Sequence, residues 1–296
     1  MIQYFAKTNF KSLFDENNMP TLLFISKIDK QNSTLPRIMH SHDDMLEILF
    51  IRSGSGEYII DNIRYPIEKG DIIICNSNSL HADVPASNNN LSFYCCAISN
   101  VQMEHLPKNH LINDNMYPIF KSDDNYSMIK NIMKLLYLQV SSNNMSLAES
   151  SHNLMLSLIL TTYNLTSKST LLIDKNDSNQ CQLCSEIKEY INLNFKEDIT
   201  LNTISDAMHI SPFYLSHIFK NCIGFSPMQY LLRRRLGDAQ TLLIHSILSI
   251  TEIGSKVGYG NPNYFNIIFS KKVGMSPSHY RKAYISNSTF PPQISK

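Results

Sequence analysis

The chain has 296 residues, of which 43% are apolar and 17% charged, with a formal net charge of +1 at pH 7. At roughly 100–200 residues per domain this length predicts two domains, and the apolar content excludes a disordered chain. No run of the sequence approaches the roughly 18 consecutive apolar residues of a membrane helix, so we expect no membrane association.

The opening residues lack a basic segment followed by an apolar one, so we expect no secretion and a cytoplasmic protein.

The N-terminal third of the chain has the pattern of β-strands. Short β-branched and aromatic runs at 22–28, 46–51, 57–60, 71–75 and 91–98 alternate with Gly, Asp and Asn turn signals. Many short strands at this spacing predict a sandwich or small barrel.

The apolar period then changes. Met128, Ile129, Ile132, Leu135, Leu136 and Val140 recur at three- and four-residue steps, which predicts a helix, and a second helical stretch runs from about 147 to 165. A polar run at 166–180 reads as a linker. The pattern from 185 to about 284 is helical, with breaks at Gly and Ser-Pro sites.

Six cysteines raise the question of metal or redox chemistry. Four of them (Cys75, Cys95, Cys96 and Cys222) lie among apolar neighbours and read as small core residues. The CxxC pair, Cys181 and Cys184, has no second pair at zinc-finger spacing and no βαβ setting, so neither metal nor redox function is expected there.

The C-terminal part contains an internal repeat. The segment FKNCIGFSP at 219–227 is echoed by FSKKVGMSP at 269–277, and the offset of 50 extends to the pairs Pro212/Pro262, Tyr214/Tyr264, Leu215/Phe265, Ile218/Ile268 and Tyr230/Tyr280. Two copies that match in apolar positions, caps and turns are two copies of one supersecondary unit.

Each copy reads as helix–turn–helix. In the first, Thr200 caps a short helix, a turn follows near His209, and Ser211-Pro212 begin the second helix, which ends at Gly224. In the second, the short helix spans 250–257, the turn is at 258–260, and Asn261-Pro262 begin the second helix. Ser226-Pro227 open a longer helix between the units, with Gly237 inside it at a cost of about 1 kcal/mol relative to Ala.

The charge distribution supports a polyanion as partner. Residues 1–184 hold 14 Lys/Arg against 18 Asp/Glu, whereas residues 185–296 hold 12 against 7. The second helix of a helix–turn–helix unit fits the DNA major groove, and two linked units would enter successive grooves. The alternative is a helical interaction domain whose polar faces are merely solvated.

We predict that the outer faces of the two second helices contact bases and that nearby cations contact phosphates. The predicted face residues are Phe213, Ser216, His217 and Lys220 in the first unit and Asn263, Asn266, Ile267 and Ser270 in the second. The predicted phosphate contacts also include Arg233, Arg234, Lys256, Lys271, Lys272, Arg281 and Lys282.

Residues 185–285 resemble the DNA-binding domain of the AraC/XylS family of transcription regulators. The matching residues are Ser211-Pro212, Leu215, Phe219-Lys220, Gly224, Arg235-Leu236, Ala239, Ile253-Gly254, Val257-Gly258-Tyr259, Tyr264-Phe265, Phe269, Gly274, Ser276-Pro277 and Tyr280-Arg281. Three positions depart from the family pattern: Ser270, Ile267 and Gly237. The resemblance implies a regulator, with activation favoured over repression and RNA polymerase as a partner of an activator.

The N-terminal domain carries a second pattern. His40-x-His42, Glu47, Gly54, Lys69-Gly70-Asp71 and His81 resemble the cupin double motif, although Asn76 and Asn78 stand where proline and glycine are expected. His40 and His42, at i and i+2 on a strand, would face one side, where Glu47 and His81 would complete a 3-His-1-carboxylate set. A metal-dependent cupin enzyme, an isomerase or a dioxygenase, is therefore the alternative function.

Together these patterns predict an α+β multidomain protein and not an enzyme. The expected parts are a cupin-like sensor domain (1–120), a helical connector that forms a homodimer interface (121–166), a linker (167–184), a DNA-binding domain with two helix–turn–helix units (185–285) and a tail (286–296). A small-molecule effector is expected to contact His40, His42, Glu47, Tyr58 and His81, with no bound cofactor or metal. The partner is double-stranded promoter DNA.

Overall fold

The computed structural model of the chain describes residues 3–4, 11–15, 17–29, 40–61, 63–84, 91–167 and 179–285. Its strands are β1 (Thr21–Ile28), β2 (Leu46–Ser53), β3 (Ser55–Ile60), β4 (Ile63–Glu68), β5 (Asp71–Cys75), β6 (His81–Val84), β7 (Ser92–Ser99) and β8 (Ile119–Lys121). Its α-helices are α1 (Tyr126–Ser141), α2 (Ala148–Thr166), α3 (Asn179–Asn194), α4 (Leu201–Ala207), α5 (Pro212–Ile223), α6 (Pro227–His245), α7 (Ile250–Lys256), α8 (Pro262–Val273) and α9 (Pro277–Ile285).

The strands form two antiparallel sheets, in the orders β1-β7-β2-β5-β8 and β4-β3-β6. The five predicted strands are confirmed. The sequence did not indicate β4, β6 or β8, because β4 contains Pro66 and the other two have only four and three residues. Runs this short give too few alternating positions to be recognised as strands.

The central strands β2, β5 and β7 of the larger sheet are buried over most of their length, which explains why they are predominantly apolar. In β2, Ile48 and Phe50 pack on the side of α1 and α2, while Leu49 and Ile51 pack in the core between the sheets. Since side chains alternate along a strand, Glu47 points to the inter-sheet side.

The connector helices α1 and α2 cover the outer face of that sheet. α1 buries Ile129, Ile132 and Leu136, whereas Leu135 and Leu138 are about half exposed on the opposite side. None of the helices in the described ranges combines the length and apolar character that crossing a bilayer requires.

The predicted linker is shorter than expected at its C-terminal end. Residues 168–178 and the tail 286–296 lie outside the described ranges, but α3 already begins at Asn179. Cys184, predicted to lie in the linker, is buried in the core of the helical domain, where its thiol lies 3.4 Å from the Ile218 carbonyl oxygen. The helical domain therefore starts before residue 185.

The two predicted helix–turn–helix units are confirmed as α4–α5 and α7–α8. The hydroxyl of Ser211 accepts from the Tyr214 amide at the start of α5, and the Asn261 side chain accepts from two amides at the start of α8. Gly224 and Gly274, at φ 78° and 88°, end these helices in the left-handed conformation that favours glycine.

Helix α6 is shared by the cores of both units. Tyr230 and Leu231, near its start, pack with the first unit, whereas Leu236, Ala239 and Leu243 pack with the second. A helix with residues in two cores fixes the units relative to each other, so movement of α6 moves both.

The N-terminal and helical domains contact each other through α3 and α6. Leu80 and Ala82, on either side of His81, belong to the same apolar cluster as Ile187 and Ile191 of α3. Gly237 of α6 lies against His40: a Cβ built on this glycine would be 2.2 Å from the His40 Cβ. Even alanine would clash there, which gives a structural reason for the glycine that departs from the family pattern.

Candidate functional site

The outer face of α5 is presented to solvent as predicted. Phe213 is 83% exposed, and His217 and Lys220 are also exposed, while Ser216 is partly covered. Leu215, Ile218 and Phe219 are buried on the opposite face. The side chain of Asn221 lies 3.3 Å from His217 Nδ1, which orients the imidazole on this surface.

The equivalent face of α8 is also exposed. Asn263, Asn266 and Ile267 project into solvent, with Ile267 65% exposed. Ser270 is only partly exposed, and its hydroxyl donates to the Asn266 carbonyl at 2.7 Å, which leaves its oxygen only as an acceptor. The two amides offer both donors and acceptors, the combination that reads an adenine edge in the major groove.

Most of the predicted phosphate contacts lie at the surface of the helical domain. Lys256, Lys271, Lys272 and Lys282 are exposed. Arg233 is half-buried, with its guanidinium 4.1 Å from the centre of the Phe225 ring. Arg281 is partly buried and donates to the carbonyls of Leu243 and Leu248, so it ties α9 to the end of α6.

The prediction that Arg234 contacts DNA is wrong for this arrangement of the domains. Its side chain is fully buried, forms an ion pair with Asp238 one turn further along α6, and lies 3.8 Å from Asp43 of the N-terminal domain. Its guanidinium also stacks 4.2 Å above the Phe195 ring. The sequence did not show this because three consecutive arginines on a helix point in three directions, and only packing decides which is covered.

The five residues predicted to contact an effector come together, and all are buried. The ring centroids of His40 and His42 are 5.0 Å apart, and those of His40 and His81 are 4.4 Å apart. His40 and His42 do face one side, but not from a regular strand: His40 makes only an isolated bridge, to His81. Glu47 enters from the larger sheet.

The donor atoms of His40, His42, Glu47 and His81 all lie within 4.8 Å of one another. Glu47 Oε2 is 3.1 Å from His81 Nε2, and Oε1 is 3.7 Å from His42 Nε2. Burial alone would raise the pKa of Glu47, but the hydrogen bond to His81 and the charges of the three histidines hold that pKa well below its ordinary value. The cluster therefore contains an ionised, buried carboxylate.

The cluster is closed rather than open at a barrel mouth. Tyr58 is 4% exposed and stacks on the His81 ring at 6.3 Å between centroids. Among the described residues, a cavity of about 30 Å³ lies beside Asn76 and one of about 350 Å³ lies between β1 and the ends of α1 and α2, both away from the cluster. The second is roughly the size of a small-ligand pocket.

Residues that join the two domains were not anticipated. Lys188 of α3 pairs with Asp61 at 2.7 Å, and Asp43 faces Arg234. No local pattern marks them, because each partner is more than 120 residues away in the chain.

A sheet domain with a buried polar cluster, joined to two helix–turn–helix units that expose matched faces, defines a DNA-binding transcription regulator with a sensor domain. The model of the AraC-like ligand binding domain matches residues 25–159, and the model of a helix-turn-helix domain matches residues 204–283. The chain belongs to the AraC/XylS family of transcription regulators.

Two relatives match along most of their length. The uncharacterized HTH-type transcriptional regulator YdiP of Escherichia coli (strain K12) is 26% identical over 245 residues, which cover 83% of this chain and 81% of YdiP. The lactose operon transcription activator of Staphylococcus xylosus is 26% identical over 246 residues, covering 80% of this chain and 84% of the relative.

A solved structure shares the two-domain fold. Fatty acid-bound ToxT from Vibrio cholerae aligns with a TM-score of 0.50 over 93% of this chain and 98% of ToxT, at 13% sequence identity. The predicted α+β architecture, with a sheet domain followed by a helical domain, is therefore confirmed.

Proposed function

We propose that this chain is a sequence-specific transcription activator that reads promoter DNA with the exposed faces of α5 and α8. The observation that carries the proposal is the repetition of one exposed helix face at a fixed offset of 50 residues, on two units held by one shared helix. Two recognition helices fixed by α6 are suited to two successive major grooves on one side of the duplex. Activation is favoured because the Staphylococcus xylosus relative is named as an activator.

The activator would act on RNA polymerase in the cytoplasm, as a homodimer. The dimer interface is proposed on the exposed side of α1, where Met128, Leu135 and Leu138 are each about half exposed beside one another at three- to seven-residue spacing. Large apolar side chains grouped on one helix face are typical of a self-complementary contact.

Effector control is proposed at the buried cluster of His40, His42, Glu47, Tyr58 and His81. These residues flank the contacts with α3 and α6, so a change there reaches the helical domain directly. We propose that the chain has no enzymatic activity, because the two relatives that it matches along most of their length are named as a transcriptional regulator and a transcription activator.

Titration of DNA binding against salt tests the function. The full-length protein is added to a labelled duplex from upstream of its own gene and to a scrambled duplex of equal length and composition. We expect the promoter duplex to bind at least about 10³-fold more tightly at physiological salt, with a steep loss of affinity as salt rises. Equal affinity for the two duplexes would contradict the proposal.

A further inference from the structure

The four polar residues of the buried cluster are arranged like the ligands of a metal ion. An ion about 2.1 Å from two donors at tetrahedral or octahedral angles places those donors about 3.0–3.4 Å apart. The Glu47–His81 separation of 3.1 Å fits this spacing, and the Glu47–His42 separation of 3.7 Å needs only a small rotation of one side chain. All four donors lie within 4.8 Å of one another.

Two details of the surroundings fit an ion better than an organic ligand. Nδ1 of His81 lies 2.9 Å from the Ser79 carbonyl oxygen, so Nδ1 carries the hydrogen and Nε2 is directed at Glu47. Histidines that bind a metal through one ring nitrogen are held in this way, because the N–H of the other ring nitrogen donates a hydrogen bond to a carbonyl oxygen. Oε1 of Glu47 is fully buried, faces His42 Nε2 at 3.7 Å and has no hydrogen-bond partner, so this carboxylate oxygen is directed into the cluster.

We propose that His40, His42, Glu47 and His81 bind a divalent first-row transition-metal ion, and that its occupancy is transmitted to the DNA-binding domain through the contact of His40 with Gly237. The inference rests on the proposed function, since it assigns the ligand of the effector cluster. Three imidazoles and one carboxylate suit Fe²⁺, Co²⁺, Ni²⁺ or Zn²⁺ and disfavour Ca²⁺ and Mg²⁺, which take oxygen ligands.

The coupling follows from where the ligands sit. The Cα and Cβ of His40 lie against Gly237 of α6, and His81 lies between Leu80 and Ala82, which pack on α3. Helix α6 contributes to the cores of both helix–turn–helix units. An ion that holds His40 and His81 in place therefore also holds the surface that packs against the DNA-binding domain. By thermodynamic linkage, a change that disturbs this contact weakens the binding of the ion.

The first experiment measures binding of Co²⁺ to tag-free, full-length protein after treatment with a chelator. We expect binding to saturate at one Co²⁺ per chain, with visible absorption bands that disappear when Zn²⁺ is added. Co²⁺ should also raise the melting temperature of the wild type. Glu47→Gln and His42→Ala should each lose at least about 100-fold in affinity. His110→Ala is the matched control, because His110 pairs with Asp114 at 3.5 Å outside the cluster and should leave Co²⁺ binding unchanged.

The second experiment tests the coupling. Gly237→Ala must displace His40 and should weaken Co²⁺ binding at least about tenfold, the scale of a lost supporting contact at a metal site. Gly260→Ala is the control, since a Cβ there meets nothing within 4 Å. Reciprocally, Co²⁺ should change the affinity of the wild type for its promoter duplex at least about fivefold.

Each failure has a distinct meaning. A wild-type protein with no saturable Co²⁺ binding and no thermal shift, or Glu47→Gln binding as the wild type does, overturns the site. Gly237→Ala binding Co²⁺ as tightly as Gly260→Ala, or DNA affinity unchanged by Co²⁺, overturns the coupling. Because Co²⁺ binding is measured without DNA, this result tests the metal site independently of the salt titration that tests the proposed function.

Discussion

Lys188 of α3 and Asp61, which follows β3, form an ion pair of 2.7 Å across the boundary between the two domains. The lysine side chain is 19% exposed and the aspartate 28%, so water screens the pair only partly. Burial on its own would lower the pKa of Lys188, but the charge of Asp61 and their hydrogen bond raise it above its ordinary value. The pair therefore helps to hold the domains in contact.

Removing one partner of this pair should loosen the domain contact. Asp61→Ala leaves a largely buried ammonium unpaired, and we expect a loss of about 2 kcal/mol in the free energy of unfolding, measured by denaturant titration. Glu57→Ala, which breaks the exposed pair with Arg64, is the control and should cost less than about 1 kcal/mol. Equal costs for the two variants would mean that the interdomain pair is not buried in solution.

Arg234 should matter for stability and not directly for DNA contact. Arg234→Ala removes a fully buried side chain and leaves the partly buried carboxylate of Asp238 without its cation, which predicts a loss of about 3 kcal/mol in the free energy of unfolding. At a temperature where the variant remains folded, the salt dependence of its DNA binding should equal that of the wild type. A decrease of about one unit in the slope of log affinity against log salt concentration would instead indicate that Arg234 contacts a phosphate.

Lys220 should show the opposite behaviour. It is exposed in the last turn of α5, so Lys220→Ala should leave the unfolding free energy within about 0.5 kcal/mol of the wild type. The Lys220→Ala substitution should weaken binding to all duplexes and lower the slope of log affinity against log salt concentration by about 0.9. Lys108→Ala, an exposed lysine of the N-terminal domain, is the control for net charge; the two variants should differ in fluorescence anisotropy titrations over a range of salt.

The exposed side of α1 should carry the dimer contact. Leu138→Glu places a charge within the proposed interface, so we expect light scattering to report the monomer mass at micromolar concentration, where the wild type gives twice that mass. The control is Leu193→Glu on α3, because Leu193 is even more exposed, at 76%, and lies in the other domain. A wild type that is already monomeric would contradict the proposal.

His110 should give a pH-dependent contribution to stability. Burial would lower its pKa, but the hydrogen bond with Asp114 outweighs it and raises the pKa above 6.5. A group whose pKa is higher in the folded state stabilises fully below its unfolded pKa and loses that effect as pH rises through the folded value. The difference in unfolding free energy between wild type and His110→Gln should therefore be larger at pH 5.5 than at pH 8.5. A difference independent of pH would contradict this.

The sequence predicted the helical domain almost completely, because its signals are local. Ser211, Gly224 and Asn261 specify where helices begin and end through bonds to neighbouring backbone groups, and these caps are found where expected. The period of Leu215, Ile218 and Phe219 likewise specified which face of α5 is buried. The short strands β4, β6 and β8 were missed because they form only by pairing with distant partners.

The sequence by itself determined the order of the domains, the two helix–turn–helix units and the set of polar residues that includes Glu47 and His81. Only the tertiary structure decided that Arg234 is buried, that α3 begins at Asn179, and that Gly237 makes room for His40. The physical reason is the range of the interactions: caps, turns and helix periods act over a few residues, whereas a buried ion pair or a close backbone approach depends on segments nearly 200 residues apart.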